Sequence, residues 1–130
     1  MLFLKTVDIA DNERALLFDR DRLQKVLTPG RHRLGTLGRK LRIETFDITS
    51  VKFEHPKLKF MLKQYPQLLE DVLDVFEPND RQVGIIYRDG KIADILPPGN
   101  LLATWKGSED VRVDAVDISE QYQIDDELTS

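Results

Sequence analysis

The chain has 130 residues, a formal net charge of −4, 41% apolar and 32% charged residues, and no cysteine. One domain, or two very small ones sharing a core, is the expectation, and disorder and fibre are excluded. Disulfides, thiolate nucleophiles, Cys-based zinc sites and iron–sulfur ligation are excluded too, and two histidines, His32 and His55, are too few for a histidine metal cage.

In chain order, the opening Leu2-Phe3-Leu4 run is broken by Lys5, far short of the roughly 20 apolar residues that span a bilayer, so neither a membrane span nor an export signal is expected. Leu16-Leu17-Phe18 and Leu23 to Leu27 read as two strands around a glycine-free turn, Asp19-Arg20-Asp21. Pro29-Gly30 fits a type II turn that launches a third strand, Arg31 to Leu34. Gly35-Thr36-Leu37-Gly38 has the spacing of a KH-type backbone clamp, but its place between strands makes it a hairpin turn. Leu41, Ile43 and Thr45 alternate with Arg42 and Glu44, the pattern of a half-buried antiparallel strand. From Pro56 to Leu73 the period changes to that of a helix. Leu58, Met61, Leu62 and Tyr65 form one stripe and Leu68, Leu69, Val72 and Leu73 another, with Pro56 and Pro66 each suited to a first helical position and a bend at Tyr65-Pro66. Pro78-Asn79 then turns into Val83 to Tyr87, an Asp89-Gly90 hairpin, Lys91 to Leu96, Pro98-Gly99, Asn100 to Thr104 and an alternating stretch from Val111 to Ala115.

The second series repeats the first. At an offset of 69, Leu16-Leu17-Phe18 falls on Ile85-Ile86-Tyr87, Leu23 on Ile92, Val26-Leu27 on Ile95-Leu96 and Pro29-Gly30 on Pro98-Gly99; at 70, Leu41-Arg42-Ile43 falls on Val111-Arg112-Val113 and Phe46-Asp47-Ile48 on Val116-Asp117-Ile118. The expected fold class is α+β: two similar antiparallel β-meander modules joined by a short, Pro-bent helical connector. The divisions are 1–53, first β repeat; 54–76, connector; 77–118, second β repeat; and 119–130, an acidic C-terminal tail, together forming one unit.

Charge is divided unevenly. Residues 1–65 hold 14 Lys+Arg against 8 Asp+Glu, a net +6, and residues 66–130 hold 5 against 15, a net −10. Arg20, Arg22, Lys25, Arg31, Arg33, Arg39, Lys40 and Arg42 are therefore candidate interaction residues. They could meet the acidic half of another copy head to tail, or anionic lipid headgroups or RNA; a solvated face is the plain alternative. No Phe, Tyr or Trp interleaves residues 20–42, which argues against base stacking and hence against nucleic acid. Trp105, beside Lys106-Gly107 at a strand end, is a further candidate contact, with core packing as its competing role.

Catalytic signals are thin. No G-x-S-x-G, Walker A, G-x-G-x-x-G or H-E-x-x-H string occurs. His32 reads as a surface imidazole and His55 as structural at a helix start. Asp47 and Asp117 occupy matching positions, where a carboxylate accepting turn N–H groups is the simpler account than an acid/base pair. No enzymatic role, metal or cofactor is expected.

The repeated phrases carry a family likeness. Glu13-Arg14-Ala15-Leu16-Leu17-Phe18 followed by Val26-Leu27-Thr28-Pro29-Gly30-Arg31-His32, and Val83-Gly84-Ile85-Ile86-Tyr87-Arg88-Asp89-Gly90 followed by Ile95-Leu96-Pro97-Pro98-Gly99, resemble the opening of stomatin/prohibitin/flotillin (Band 7) domains, most of all bacterial slipins. Phe46-Asp47-Ile48, His55-Pro56 and Val111-Arg112-Val113 extend the resemblance over most of residues 7–118. It implies a non-enzymatic scaffold module, homo-oligomeric, cytoplasmic and peripheral at the inner face of a membrane, organising other membrane proteins. The family's N-terminal hydrophobic anchor and long helical segment have no counterpart in these residues, so the expectation is the N-terminal portion of a longer protein. The resemblance transfers no catalytic residue.

Overall fold

Alternation of apolar residues and two-residue turns produces strands over most of the chain. The computed structural model describes residues 3–108 and 110–118, so the acidic tail expected at 119–130 lies outside the described residues. In order, the elements are β1 (Leu4–Ile9), β2 (Glu13–Asp19), β3 (Arg22–Leu27), β4 (Gly30–Gly35), β5 (Leu41–Asp47), α1 (Leu58–Gln64), α2 (Pro66–Leu69), β6 (Leu73–Phe76), β7 (Gln82–Arg88), β8 (Lys91–Leu96), β9 (Leu102–Trp105) and β10 (Val111–Asp117). The fold is α+β, with antiparallel sheets predominating. No helix among the described residues is long and apolar enough to cross a membrane.

The sheets are not simple meanders. The orders are β3-β2-β5 and β8-β7-β10, with β1 paired to β4 and β6 to β9. Only the hairpins β2–β3 and β7–β8 pair in sequence. The third strand of each series leaves to pair with an earlier strand, and the fourth returns to the other edge of the first. At the first departure Pro29 has no N–H to give a ladder, and Gly30 takes φ 131°, a conformation open to glycine, already paired with Ile9. The expected type II turn is therefore absent there. It forms at Pro97–Asn100, where Asn100 N–H donates to Pro97 O and Gly99 has φ 72°. Thr36 to Arg39 is likewise a turn between sheets rather than a hairpin, with Arg39 N–H donating to Thr36 O.

Pairing registers recur. Glu13 faces Asp47 and Gln82 faces Asp117; the β2–β3 ladder shifts between Leu17 and Phe18, and the β7–β8 ladder between Ile86 and Tyr87. Arg42 lies over the Phe18 ring and Arg112 over the Tyr87 ring, each 4.3 Å from the centroid. Both hairpin turns use two positive-φ residues, Arg20-Asp21 and Asp89-Gly90, matching the right-handed twist of the strands they join.

Period two divides the core. From β2, Leu16 and Phe18 enter the main cluster with Phe53, Met61, Leu69 and Trp105, while Ala15 and Leu17 enter a second with Ile9, Leu27 and Leu34. β2 is thus buried on both faces. A third cluster holds Ile86, Leu96 and Leu102. Pro66 stands at the first position of α2, as its missing N–H allows, but Pro56 precedes Lys57, the N-cap of α1. Leu73–Phe76, given by its apolar spacing to the connector, is strand β6, because pairing with β9 satisfies its backbone and buries Leu73.

Of the glycines among the described residues, Gly84 is the most closely packed. A Cβ there would lie 2.9 Å from Val113 Cγ1 and 3.1 Å from Leu96 Cβ. Gly84→Ala is expected to lower stability by about 1–3 kcal/mol through overpacking, read from urea denaturation. The opposite sign, the gain of roughly 0.5–1 kcal/mol usual for Gly→Ala inside a strand, would show that the contact yields.

Candidate interaction surfaces

The sequence offers charge and little chemistry, and the fold sorts that charge. The loop joining β4 to β5 is laced onto the β2–β3 turn: Arg20 N–H donates to Lys40 O at 3.0 Å, Lys40 N–H to Asp19 Oδ1 at 3.0 Å, and Arg20 Nη2 to Gly38 O at 3.2 Å. Arg20, Arg22, Arg39, Lys40 and Arg42 therefore share one end of the first three-stranded sheet. Asp19 and Asp21 offset part of this charge, through Arg39 at 3.8 Å and Arg42 at 3.4 Å. Arg42 also pairs with Glu44, so its guanidinium is held from three sides. Arg22 and Lys40 make no ion pair among the described residues.

The other three basic candidates stand elsewhere. Lys25 is exposed on β3, an edge strand. Arg31 and Arg33 lie on β4, where Arg31 Nε pairs with Asp8 Oδ1 at 3.0 Å. That pair is about 70% exposed on both sides, so it contributes only roughly 0–1 kcal/mol and leaves the ribbon's surface polar rather than tightly held.

Trp105 is not a contact residue. It is 3% exposed, with its ring 4.9 Å from Phe53 and 5.8 Å from Phe46. The strand end that suggested exposure is covered by residues 51–53, since Trp105 N–H donates to Val51 O and Phe53 N–H to Ala103 O.

His55 is half-buried at the start of the connector. Its Nδ1 accepts the Lys57 N–H at 3.0 Å, so Nε2 carries the proton and donates to Glu44 Oε1 at 2.9 Å. Both ring nitrogens are used in fixing the α1 entry against β5. His32 Nε2 lies 2.6 Å from Thr28 O. Among the described residues no group of three or more His, Cys, Asp or Glu could hold a metal ion.

A feature the sequence repeat does not signal is apolar. Ile92 and Ile95, aligned with the buried Leu23 and the partly buried Val26, are 67% and 59% exposed. Nothing in their own residue type signals this, because exposure depends on what covers the sheet.

Asp47 and Asp117 end strands of different sheets. The Asp47 carboxylate caps its own turn, accepting Thr49 Oγ1–H at 2.7 Å and Thr49 N–H at 2.9 Å. The Thr49 hydroxyl first, then the Thr49 N–H, hold its pKa below the ordinary carboxylate range, against a smaller desolvation effect. A depressed folded-state pKa stabilises above the unfolded value of about 3.9, and the contribution is lost as pH falls through the folded value. Asp47→Asn is therefore expected to be less stable than the parent at pH 7 and to converge with it in strong acid, in urea denaturation across pH. Parallel pH profiles would remove the cap from the account.

No family model, curated protein or solved structure matches the chain.

Proposed function

We propose that the chain is a non-enzymatic scaffold and protein-interaction module, built from two similar β repeats around a Pro-bent helical connector, that self-associates head to tail. The repeat reading is supported by the recurring registers, ladder shifts, positive-φ turns and Arg–aromatic contacts. Two backbone bonds recur as well: Arg20 N–H to Lys40 O matches Asp89 N–H to Asp110 O, and Ile48 N–H to Asn12 O matches Ile118 N–H to Arg81 O.

The observation that carries self-association is charge inversion at equivalent positions. Lys25 faces Leu17 across its hairpin, and Asp94 faces Ile86 in the same register. Lys40 and Asp110 accept the corresponding turn bonds. Lys25 and Lys40 of the first repeat thus stand where the second carries Asp94 and Asp110, while Lys91 and Arg112 keep the sign of Arg22 and Arg42. Attraction between these oppositely charged positions of two copies is the basis of the head-to-tail pairing. The resemblance to stomatin-like proteins supports a place in the cytoplasm, peripheral at the inner face of a membrane, where the assembly organises membrane protein complexes.

Arg22, Lys25, Arg33 and Lys40, which make no ion pair among the described residues, favour a second reading in which the basic half docks on anionic lipid. Sedimentation velocity separates the two. Head-to-tail pairing predicts oligomers that dissociate as salt rises, and replacing Arg20, Arg22 and Lys25 by glutamate should weaken association roughly tenfold or more. Association unchanged by the triple replacement would sink the pairing. A monomer at all salt concentrations, with salt-sensitive binding to anionic vesicles, would replace it with the lipid reading.

A further inference from the structure

Equivalent faces of the two three-stranded sheets differ in cover. On β3-β2-β5, Leu16, Phe18, Leu23, Val26 and Phe46 lie beneath the segment C-terminal to β5, which contributes Ile48, Phe53, Met61, Leu69 and Leu73. The same positions on β8-β7-β10 are Ile85, Tyr87, Ile92, Ile95 and Val116. Ile85, Tyr87 and Val116 are only half-buried, Ile92 and Ile95 stand out to solvent, and Ile118, the counterpart of Ile48, is 36% exposed. A contiguous apolar face of this kind marks a binding surface.

The cover on the first face identifies the partner that fits the second. It is an amphipathic helical segment whose stripe of Leu58, Met61, Leu62 and Tyr65 meets the sheet, preceded by an imidazole bonded to Glu44. Asp114 stands at the position of Glu44, beside Arg112 at 3.5 Å. Resting on the repeat reading above, we infer that the outer face of β8-β7-β10 is a docking site for an amphipathic helix of another polypeptide. That helix carries a leucine- or methionine-rich i, i+3, i+4, i+7 stripe and a histidine or lysine ahead of it to meet Asp114.

A second copy fits this face poorly. Its own connector is already packed beneath its first sheet. Its N-terminal ribbon carries Arg33 and Gly35 at the register positions where the ribbon that closes over the first sheet has Ala103 and Trp105, so the same mode of stacking would bury an arginine in place of an alanine. The charged turn ends proposed for self-association are separate from this face.

A synthetic peptide of residues 54–73 is the probe, titrated into the isotope-labelled 130-residue chain and followed by NMR. Saturable shifts centred on Ile85, Tyr87, Ile92 and Ile95 are expected, and Ile92→Lys with Ile95→Lys should weaken binding roughly tenfold or more. Both positions are exposed, so the variant's dispersed spectrum confirms that it folds. Absence of shifts on this face at millimolar peptide, shifts confined to another surface, or peptide-independent shifts on this face that grow with chain concentration would each overturn the assignment, the last making a second copy the occupant. Salt-sensitive oligomers persisting without peptide binding would overturn the docking site alone and leave the charge pairing intact.

Discussion

The contact on which the rest of the structure depends is the aromatic cluster of Phe46, Phe53 and Trp105. These residues come from β5, the chain just after it, and β9, with ring centroids 4.9–5.8 Å apart. Edge-on and tilted aromatic pairs add about 0.5–1.5 kcal/mol each beyond the area they bury. Their larger effect is to fix the path of the chain. Once Phe53 N–H donates to Ala103 O and Trp105 N–H to Val51 O, residues 51–53 are held alongside β9 by an isolated antiparallel bridge, Lys52 opposite Thr104, and the connector must cross the Leu16–Phe18 face of β2. Two short helices with Met61 and Leu69 turned inward fill that space, and Pro66 supplies the bend.

Local chemistry was legible in the sequence wherever it involved neighbours along the chain. Both hairpins, the bend at Tyr65-Pro66, the alternation in β5 and β10 and the structural role of His55 follow from spacing and turn residues. Pairing between distant strands was not. Nothing in Arg31 to Leu34 indicates that it belongs beside β1 rather than β3, since an exposed, charged ribbon alternates the same way in either sheet. Leu73 to Phe76 misleads for a related reason: Leu68, Leu69, Val72 and Leu73 satisfy a helical stripe, and only the availability of β9 as a partner makes the last of them strand. Trp105 was ambiguous because its cover comes from residue 51, more than fifty positions away.

The candidate interaction residues divide along the same line. Their clustering near residue 20 was legible as composition, but the lacing of residues 38–40 onto the β2–β3 turn is a tertiary event that gathers five of the eight and leaves Lys25, Arg31 and Arg33 elsewhere. Since exposed ion pairs contribute roughly 0–1 kcal/mol, folding places little constraint on the sign of charge at these sites. A sequence is therefore free to carry lysine at 25 and 40 and aspartate at 94 and 110 on the same backbone positions, and selection for a partner's charge can act there without loss of stability.

Under the repeat reading, a constraint that stability does impose is cover for the sheets. In a stacked arrangement each unit buries the apolar face of its neighbour, and the outermost unit at an end needs a polar surface. The N-terminal ribbon meets that need: Thr6, Asp8, Arg31 and Arg33 face outward, and Phe3 and Leu4 are the apolar residues beside them. The outer face of β8-β7-β10 does not, because it retains isoleucines at the positions that are buried or partly buried in the first sheet. Solvation alone would favour polar residues at 92 and 95, as it has at 31 and 33. Keeping isoleucine there is the composition of a covered surface, which sets the two ends of the described structure apart: one finished against water, the other shaped for a helix.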